Sequence, residues 1–380
     1  MYPALPVYAS ADASPKPAAI GAVIMDYKTG RVLWGKNEHK PLPMASTTKI
    51  MTAIVALENS NPGDAVTVSK RAAGQPEVKM YLKAGEKLSM ENLLYALMLE
   101  SANDAAVAIA EQVGGSVENF CDMMTGKARE LGAADTVFKT PNGLDADGHH
   151  STAYDMALIT RYALSNEEFR KIIKTPDITF KSDRKTYNLI NKDRFLNEYE
   201  GAIGVKTGFT GAAGNCFVGA AVRGDMTLIS VVLGSGWGAR GKQQKWKDTK
   251  EVLNYGFGNF KYNDLIKMGD LAKIVSVERS KNKDVGAYFA EDLTLPLSQS
   301  ELPRVRVEIV APDALRAPVV KGQQIGVAHV YLGDACIKNI ALLAAEDAAR
   351  HDLRTSLTRL LNAALDLGTS GQVNIILPEF

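Results

Sequence analysis

Strand-like runs stand at both ends of a helical middle, and that arrangement restricts the possible folds more than any other feature of the chain. Ile20-Gly-Ala-Val-Ile-Met25 and Arg31-Val-Leu-Trp34 flank a turn sequence ending in Gly30 and predict a β-hairpin. Far downstream, Cys216-Phe-Val-Gly-Ala-Ala-Val222 and Met226-Thr-Leu-Ile-Ser-Val-Val-Leu233 flank Arg223-Gly-Asp225 and predict a second. Between the two, Ile50, Ala53, Ile54 and Leu57 recur at helical spacing from Ser46 to Glu58. A long Ala/Leu-rich helical stretch from Ser89 to Val113 is interrupted at Ser101-Ala-Asn103, and Tyr154 to Ala163 is helix-like. A sheet assembled from distant segments and covered by helices follows, an α+β fold.

A helix-like piece, Lys247 to Tyr255, precedes a break at Gly256-Phe-Gly258, after which the texture turns β-rich. Val305, Val307 and Ile309 alternate with Arg306 and Glu308, as in a strand with one wet face. The expected organisation is a leader remnant or linker over 1–14, a main domain over 15–261, a small β domain over 262–345, and a tail over 346–380. In the tail Leu353, Leu357, Leu360, Leu361, Ala364 and Leu367 make one apolar stripe opposite Arg350, Arg354 and Arg359. Such a stripe packs on protein or lies in a membrane interface. The segment after it, Thr369 to Phe380, reads as strand-like rather than as a continuation.

Composition removes several function classes. A formal charge of +1 without a Lys/Arg run offers nothing to gather nucleic acid. No run of about 18 apolar residues spans a bilayer. Cys121, Cys216 and Cys336 are too scattered for a disulfide framework or zinc and are expected to be buried thiols. His149 and His150 are neighbours whose side chains point apart, and no His-Glu-x-x-His occurs, so no metal is expected. Leu5-Pro-Val-Tyr-Ala-Ser-Ala-Asp-Ala13 has the small-residue pattern of a signal-peptidase site, and export is the expectation.

Three short motifs carry the chemistry. Ser46-Thr-Thr-Lys49 follows Pro41-Leu-Pro43 and opens a helix, placing Lys49 one turn beyond Ser46 on the same face, where it can accept the serine proton. This requires a neutral lysine, favoured by burial and by a neighbouring cation such as Lys206. Ser-x-x-Lys arises by chance roughly once or twice in such a chain, and Ser182-Asp-Arg-Lys185 is a second copy without an apolar helix behind it. Ser101-Ala-Asn103 interrupts a buried helix, whereas Ser280-Lys-Asn282 sits in a charged segment. Lys206-Thr-Gly208 precedes the second hairpin, whereas Lys28-Thr-Gly30 is the turn of the first. The conjunction, in order and at element boundaries, is far more specific than any one motif.

The sequence resembles the penicillin-recognising serine enzymes (β-lactamase/transpeptidase-like), whose motifs are Ser-x-x-Lys, Ser-x-Asn and Lys-Thr-Gly. Within them, Pro43-Met-Ala-Ser-Thr-Thr-Lys-Ile-Met-Thr52, Glu100-Ser-Ala-Asn-Asp-Ala105, Pro141-Asn-Gly-Leu-Asp145 and Gly204-Val-Lys-Thr-Gly-Phe-Thr210 look like the low-molecular-mass penicillin-binding proteins of the D-alanyl-D-alanine carboxypeptidase type, serine peptidase family S11. The β domain and amphipathic tail resemble that family too. The resemblance implies an antiparallel sheet covered by helices, with Lys206 beginning the edge strand of the cleft, and an extracytoplasmic protein cleaving stem peptides of peptidoglycan that end in D-Ala-D-Ala.

It further implies Ser46 as nucleophile, Lys49 as base, Ser101 as proton relay, Asn103 holding the peptide amide, and Lys206 and Thr207 binding the terminal carboxylate. Gly208 lies in that strand, and the N–H groups of Ser46 and Phe209 would form the oxyanion hole. Where relatives place an arginine, Lys247 is the candidate, without a bidentate fork. β-Lactams would acylate Ser46, no cofactor is implied, and the tail becomes a candidate anchor to a membrane surface. A class A β-lactamase would need a Glu-x-x-Leu-Asn setting that is absent between the second and third motifs. A DD-endopeptidase and a non-catalytic wall-binding module remain the alternatives.

Overall fold

The computed structural model describes residues 14–351 together with Leu357 and Leu361. The expected leader remnant and most of the expected amphipathic tail lie outside these residues. The described residues divide into two compact units, one of residues 14–262 with 296–302, the other of residues 263–295 with those from 303 on.

The first unit is built on a five-stranded antiparallel sheet in the order Val32–Lys36, Gly21–Asp26, Met226–Leu233, Gly214–Arg223, Ala202–Thr210. Both predicted hairpins are present, and they meet where Gly21–Asp26 pairs with Met226–Leu233. Because side chains alternate along a strand, the central strands feed two cores. Val23, Met25, Val218 and Val231 join the helical core that contains Ile50, Leu97 and Ala106. Ile24, Phe217, Leu228 and Val232 pack with Trp246, Val252 and Leu253 of the helix Gly238–Asn259.

That last helix is longer than its periodicity suggests. It starts well before Lys247 and runs through Gly256-Phe-Gly258, which the sequence reads as a break. A Cβ on Gly256 would stand 2.4 Å from Ile24 Cδ1 and 2.7 Å from Leu228 Cδ1. The glycine is there for close packing of helix on sheet, which outweighs its poor helix propensity of about 1 kcal/mol.

In the same unit the Arg31 guanidinium, buried, pairs with the buried Glu301 carboxylate and donates to the Pro296 carbonyl. Of the three cysteines, Cys121 and Cys216 are buried, but Cys336 is exposed, correcting the expectation for that residue. It sits just past the turn between the two longest paired strands of its sheet, with its sulfur 3.3 Å from Asn339 Oδ1.

The second unit holds a six-stranded sheet ordered Val305–Val310, Gln324–Leu332, Ala335–Ala344, Asp284–Phe289, Leu271–Glu278, Ala314–Arg316. The predicted strand Val305–Val310 is its edge, and Val307, expected to face inward, is 38% exposed.

Candidate active site

Ser46 lies in a 3-10 turn, Ala45–Thr48, that leads into the helix Lys49–Asn59. Ala45 has a φ of +50°, Ser101 +62° and Tyr81 +58°. Left-handed backbone at non-glycine residues costs on the order of 1–3 kcal/mol and collects where the surrounding structure enforces a geometry. Ser101 uses it to end the π-helical turn Ala96–Glu100 and start the helix Asn103–Gly114, so the break in the long helical stretch is a sharp corner carrying the second motif.

Lys49 is fully buried, and its Nζ stands 2.9 Å from Ser46 Oγ, 2.8 Å from Asn103 Oδ1 and 2.6 Å from the Asn142 carbonyl. Asn103 Nδ2 donates to the Pro76 carbonyl at 3.1 Å, which fixes Oδ1 towards the lysine. Burial holds Lys49 well below the ordinary lysine range, and Lys206 adds to this, against a smaller opposing effect of Asp104. A neutral amine has two hydrogens and one lone pair. The Asn142 carbonyl and Asn103 Oδ1 can only accept, so they take both hydrogens and leave the lone pair for the Ser46 hydroxyl. In its neutral form an amine so placed can act as a general base.

The third motif is on the sheet edge, in Ala202–Thr210. Lys206 is buried and Thr207 half-buried, while Phe209 is exposed. Lys206 Nζ donates to the Thr207 carbonyl at 3.1 Å. A Cβ on Gly208 would lie 3.0 Å from Ser46 N and 3.1 Å from Thr47 N, so the strand passes the serine turn at a distance that only glycine permits without displacement. The three motifs, separated by about 50 and 100 residues in the chain, therefore converge through Lys49, Asn103 and Gly208.

The stretch Pro141-Asn-Gly-Leu-Asp145, outside the three motifs but part of the family resemblance, completes the site. Besides Asn142, it holds Gly143, where a Cβ would meet the Ala45 carbonyl oxygen at 2.0 Å and where φ is +82°. Asp145 Oδ1 accepts from Thr210 Oγ1 at 2.7 Å, tying the loop to the end of the edge strand. His149 is buried; its Nδ1 accepts the Lys139 N–H at 3.0 Å, so Nε2 carries the hydrogen and donates to Thr48 Oγ1 at 3.0 Å. Burial pushes its pKa down to about 4. His150 instead contacts the Gly148 carbonyl, so the two rings do part.

Lys247 is exposed, and it is not among the charges that act on Lys206. Lys245, two residues earlier, is buried and does act on it. A two-residue shift turns a helical side chain by about 200°, enough to exchange solvent for the site. Only the burial pattern separates the two lysines. Asp193, also buried, acts on both Lys206 and Lys245. A separate cavity of about 780 Å³ is bounded by Asn188, Asn191, Asp193, Asn197 and Ile203, and neither Ser46 nor Lys49 lines it.

Residues 8–236 match the D-alanyl-D-alanine carboxypeptidase family, peptidase family S11. Residues 260–350 match the C-terminal domain of penicillin-binding protein 5. D-alanyl-D-alanine carboxypeptidase DacF of Bacillus subtilis is 33% identical over 350 residues, covering 90% of this chain and 89% of that protein. D-alanyl-D-alanine carboxypeptidase DacC of Escherichia coli is 34% identical over 341 residues, covering 86% and 83%. The crystal structure of penicillin binding protein 5 from Haemophilus influenzae superimposes with a TM-score of 0.73 at 28% identity, over 89% of this chain and 99% of its own. The chain belongs to the D-alanyl-D-alanine carboxypeptidase family, with a penicillin-binding protein 5 C-terminal domain following the peptidase domain.

Proposed function

We propose that the protein is a serine-type carboxypeptidase that removes the terminal D-alanine from peptidoglycan stem peptides through a Ser46 acyl-enzyme, and that β-lactams acylate the same serine. The observation that carries this reading is the Lys49 amine, buried, donating to the Asn103 Oδ1 and Asn142 carbonyl acceptors and 2.9 Å from Ser46 Oγ.

Ser46 Oγ attacks the carbonyl of the penultimate D-alanine while its proton passes to Lys49 Nζ. The tetrahedral oxyanion is held by the N–H groups of Ser46 and Phe209, with Gly208 allowing the strand to pass close to the Ser46 turn. Ser101, half-buried at its helix corner, relays the proton held by Lys49 to the departing amide nitrogen as the C–N bond breaks, which returns Lys49 to its neutral form. Asn103 orients the substrate amide, and Lys206 and Thr207 bind the terminal carboxylate. Lys245 takes the place assigned to Lys247 from the sequence. Water, deprotonated by Lys49, then hydrolyses the ester and restores Ser46.

Intact mass spectrometry with and without benzylpenicillin, on wild type and Ser46→Ala, alongside D-alanine release from diacetyl-L-lysyl-D-alanyl-D-alanine, tests this. An adduct on wild type alone, with D-alanine released, is the expected result. An adduct without D-alanine release would transfer the reading to crosslink cleavage, and no adduct would end it.

Export and attachment to a membrane surface through the tail belong to the same proposal. Leu357 and Leu361, one helical turn apart, are 61% and 50% exposed. Among the described residues no helix is long and apolar enough to cross a membrane, so attachment would be interfacial. Removal of residues 349–380 should abolish binding to anionic phospholipid vesicles; unchanged partitioning would exclude the anchor.

A further inference from the structure

Three buried charged side chains act on one another: Asp193 at 6% exposure, Lys206 at 2% and Lys245 at 8%, with the short helix that follows Asp193 packed on the edge strand that carries Lys206. Asp193 enters the short helix Phe195–Glu198, and its Oδ1 accepts the Phe195 N–H at 3.0 Å. Its Oδ2, also buried, has no hydrogen-bond partner. A buried carboxylate oxygen without a partner is costly, and neighbouring positive charge is what can offset it. Lys206 and Lys245 are the cations that act on it.

We infer that Asp193 is a positioning residue whose buried carboxylate keeps Lys206 and Lys245 cationic for the substrate's terminal carboxylate. This rests on the carboxypeptidase reading given above, in which Lys206 grips that carboxylate.

The remaining charges around the cluster do not supply the same service. Lys192, next in the chain, lowers Lys206 further and is itself held to Glu100 Oε2 at 2.5 Å. On the helix side, Lys242 lowers Lys245, and the Cys216 thiol, which raises it, is itself pushed up to about 11 by burial. Lys49 faces Lys206 and is in turn lowered by it. Asp193 is thus the carboxylate that opposes burial on both lysines.

Burial brings Lys206 down to about 7 and Lys245 down to about 8, and raises Asp193 to about 7. Each lysine favours the charged aspartate, and the aspartate favours each charged lysine. Removing the negative charge leaves only influences that lower Lys206: burial, Lys245 and Lys192. Its proton is then lost at lower pH. A neutral Lys206 binds the carboxylate poorly, so turnover falls on the alkaline side.

The experiment is the pH profile of kcat/KM for D-alanine release from diacetyl-L-lysyl-D-alanyl-D-alanine by wild type, Asp193→Asn and Asp193→Ser. Both replacements are neutral and retain an acceptor for the Phe195 N–H. The alkaline limb should move to lower pH by about one unit, the order of shift expected for losing a nearby opposite charge, with the acid-side rate retained. A limb at the wild-type position in a folded variant overturns the inference, even if the rate falls uniformly, because a purely structural role lowers rates without moving the profile. Should the wild type release no D-alanine, the carboxypeptidase reading fails separately, and the pH profile of Ser46 acylation by benzylpenicillin reads the same limb.

Discussion

The chain spells Lys-Thr-Gly twice, and the two copies have nothing in common beyond the letters. Lys206 is buried on a sheet edge among Asp193, Lys245 and Lys49. Lys28 is exposed in a hairpin turn, its ammonium 5.1 Å from the centre of the Tyr262 ring. Gly208 is flat strand that must pass the Ser46 turn, whereas Gly30 has a φ of +73° and closes the turn by donating to the Asp26 carbonyl at 2.9 Å. Thr29 caps that turn through Asp26 Oδ1, while Thr207 lends its carbonyl to Lys206. Chemical reactivity thus belongs to the desolvated surroundings of a residue and to what shares them, since the same ammonium in water is fully solvated and has no substrate to hold.

Substitutions can separate the two neighbourhoods. Glu301→Ala, beside the first copy, should lower stability by about 3–5 kcal/mol, because Arg31 is left buried without its partner; denaturant unfolding measures it, and penicillin acylation of the folded fraction should be unchanged. Lys206→Ala should lower kcat/KM roughly 1,000-fold, the upper range for losing a preorganised electrostatic group, with a much smaller change in melting temperature. A rate within tenfold of wild type would break the contrast.

Acid sensitivity should also fall on the active-site side. His149 is held neutral when folded and titrates near its ordinary value when unfolded, so its contribution is present above about pH 6.5 and declines as the pH falls towards 4. The loss is on the order of 3 kcal/mol, and stability against pH should be flatter for His149→Gln. Gly30→Ala should cost about 1–2 kcal/mol for a left-handed residue with a Cβ, without altering acylation. Lys28→Ala should change rate and stability least, within about 0.5 kcal/mol.

Much of the site was legible because its signals are local. Ser46 and Lys49 share a helix face by spacing alone, and the helix break at Ser101 is visible as an interruption in an apolar pattern. Both hairpins could be read from apolar runs and their turn residues. What failed, failed where packing decides. Lys245 and Lys247 are equally basic and two residues apart, and only the docking of their helix on the sheet selects between them. Gly256 resembles a helix breaker until Ile24 and Leu228 are seen to press against it. The stretch Pro141 to Asp145 was legible only through the family resemblance, because Asn142 meets Lys49 through its carbonyl and a backbone atom leaves no mark in a side-chain motif.

By itself the sequence determined which residue types were present in which order, and so the kind of chemistry: a serine one turn before a lysine, a helix corner bearing Ser101 and Asn103, and a strand opening on Lys206. The tertiary structure decided which of the repeated motifs are used, which lysine faces the strand and how each charge is shifted. Desolvation and the direction of a side chain are properties of the assembled neighbours, and those neighbours come from segments far apart in the chain.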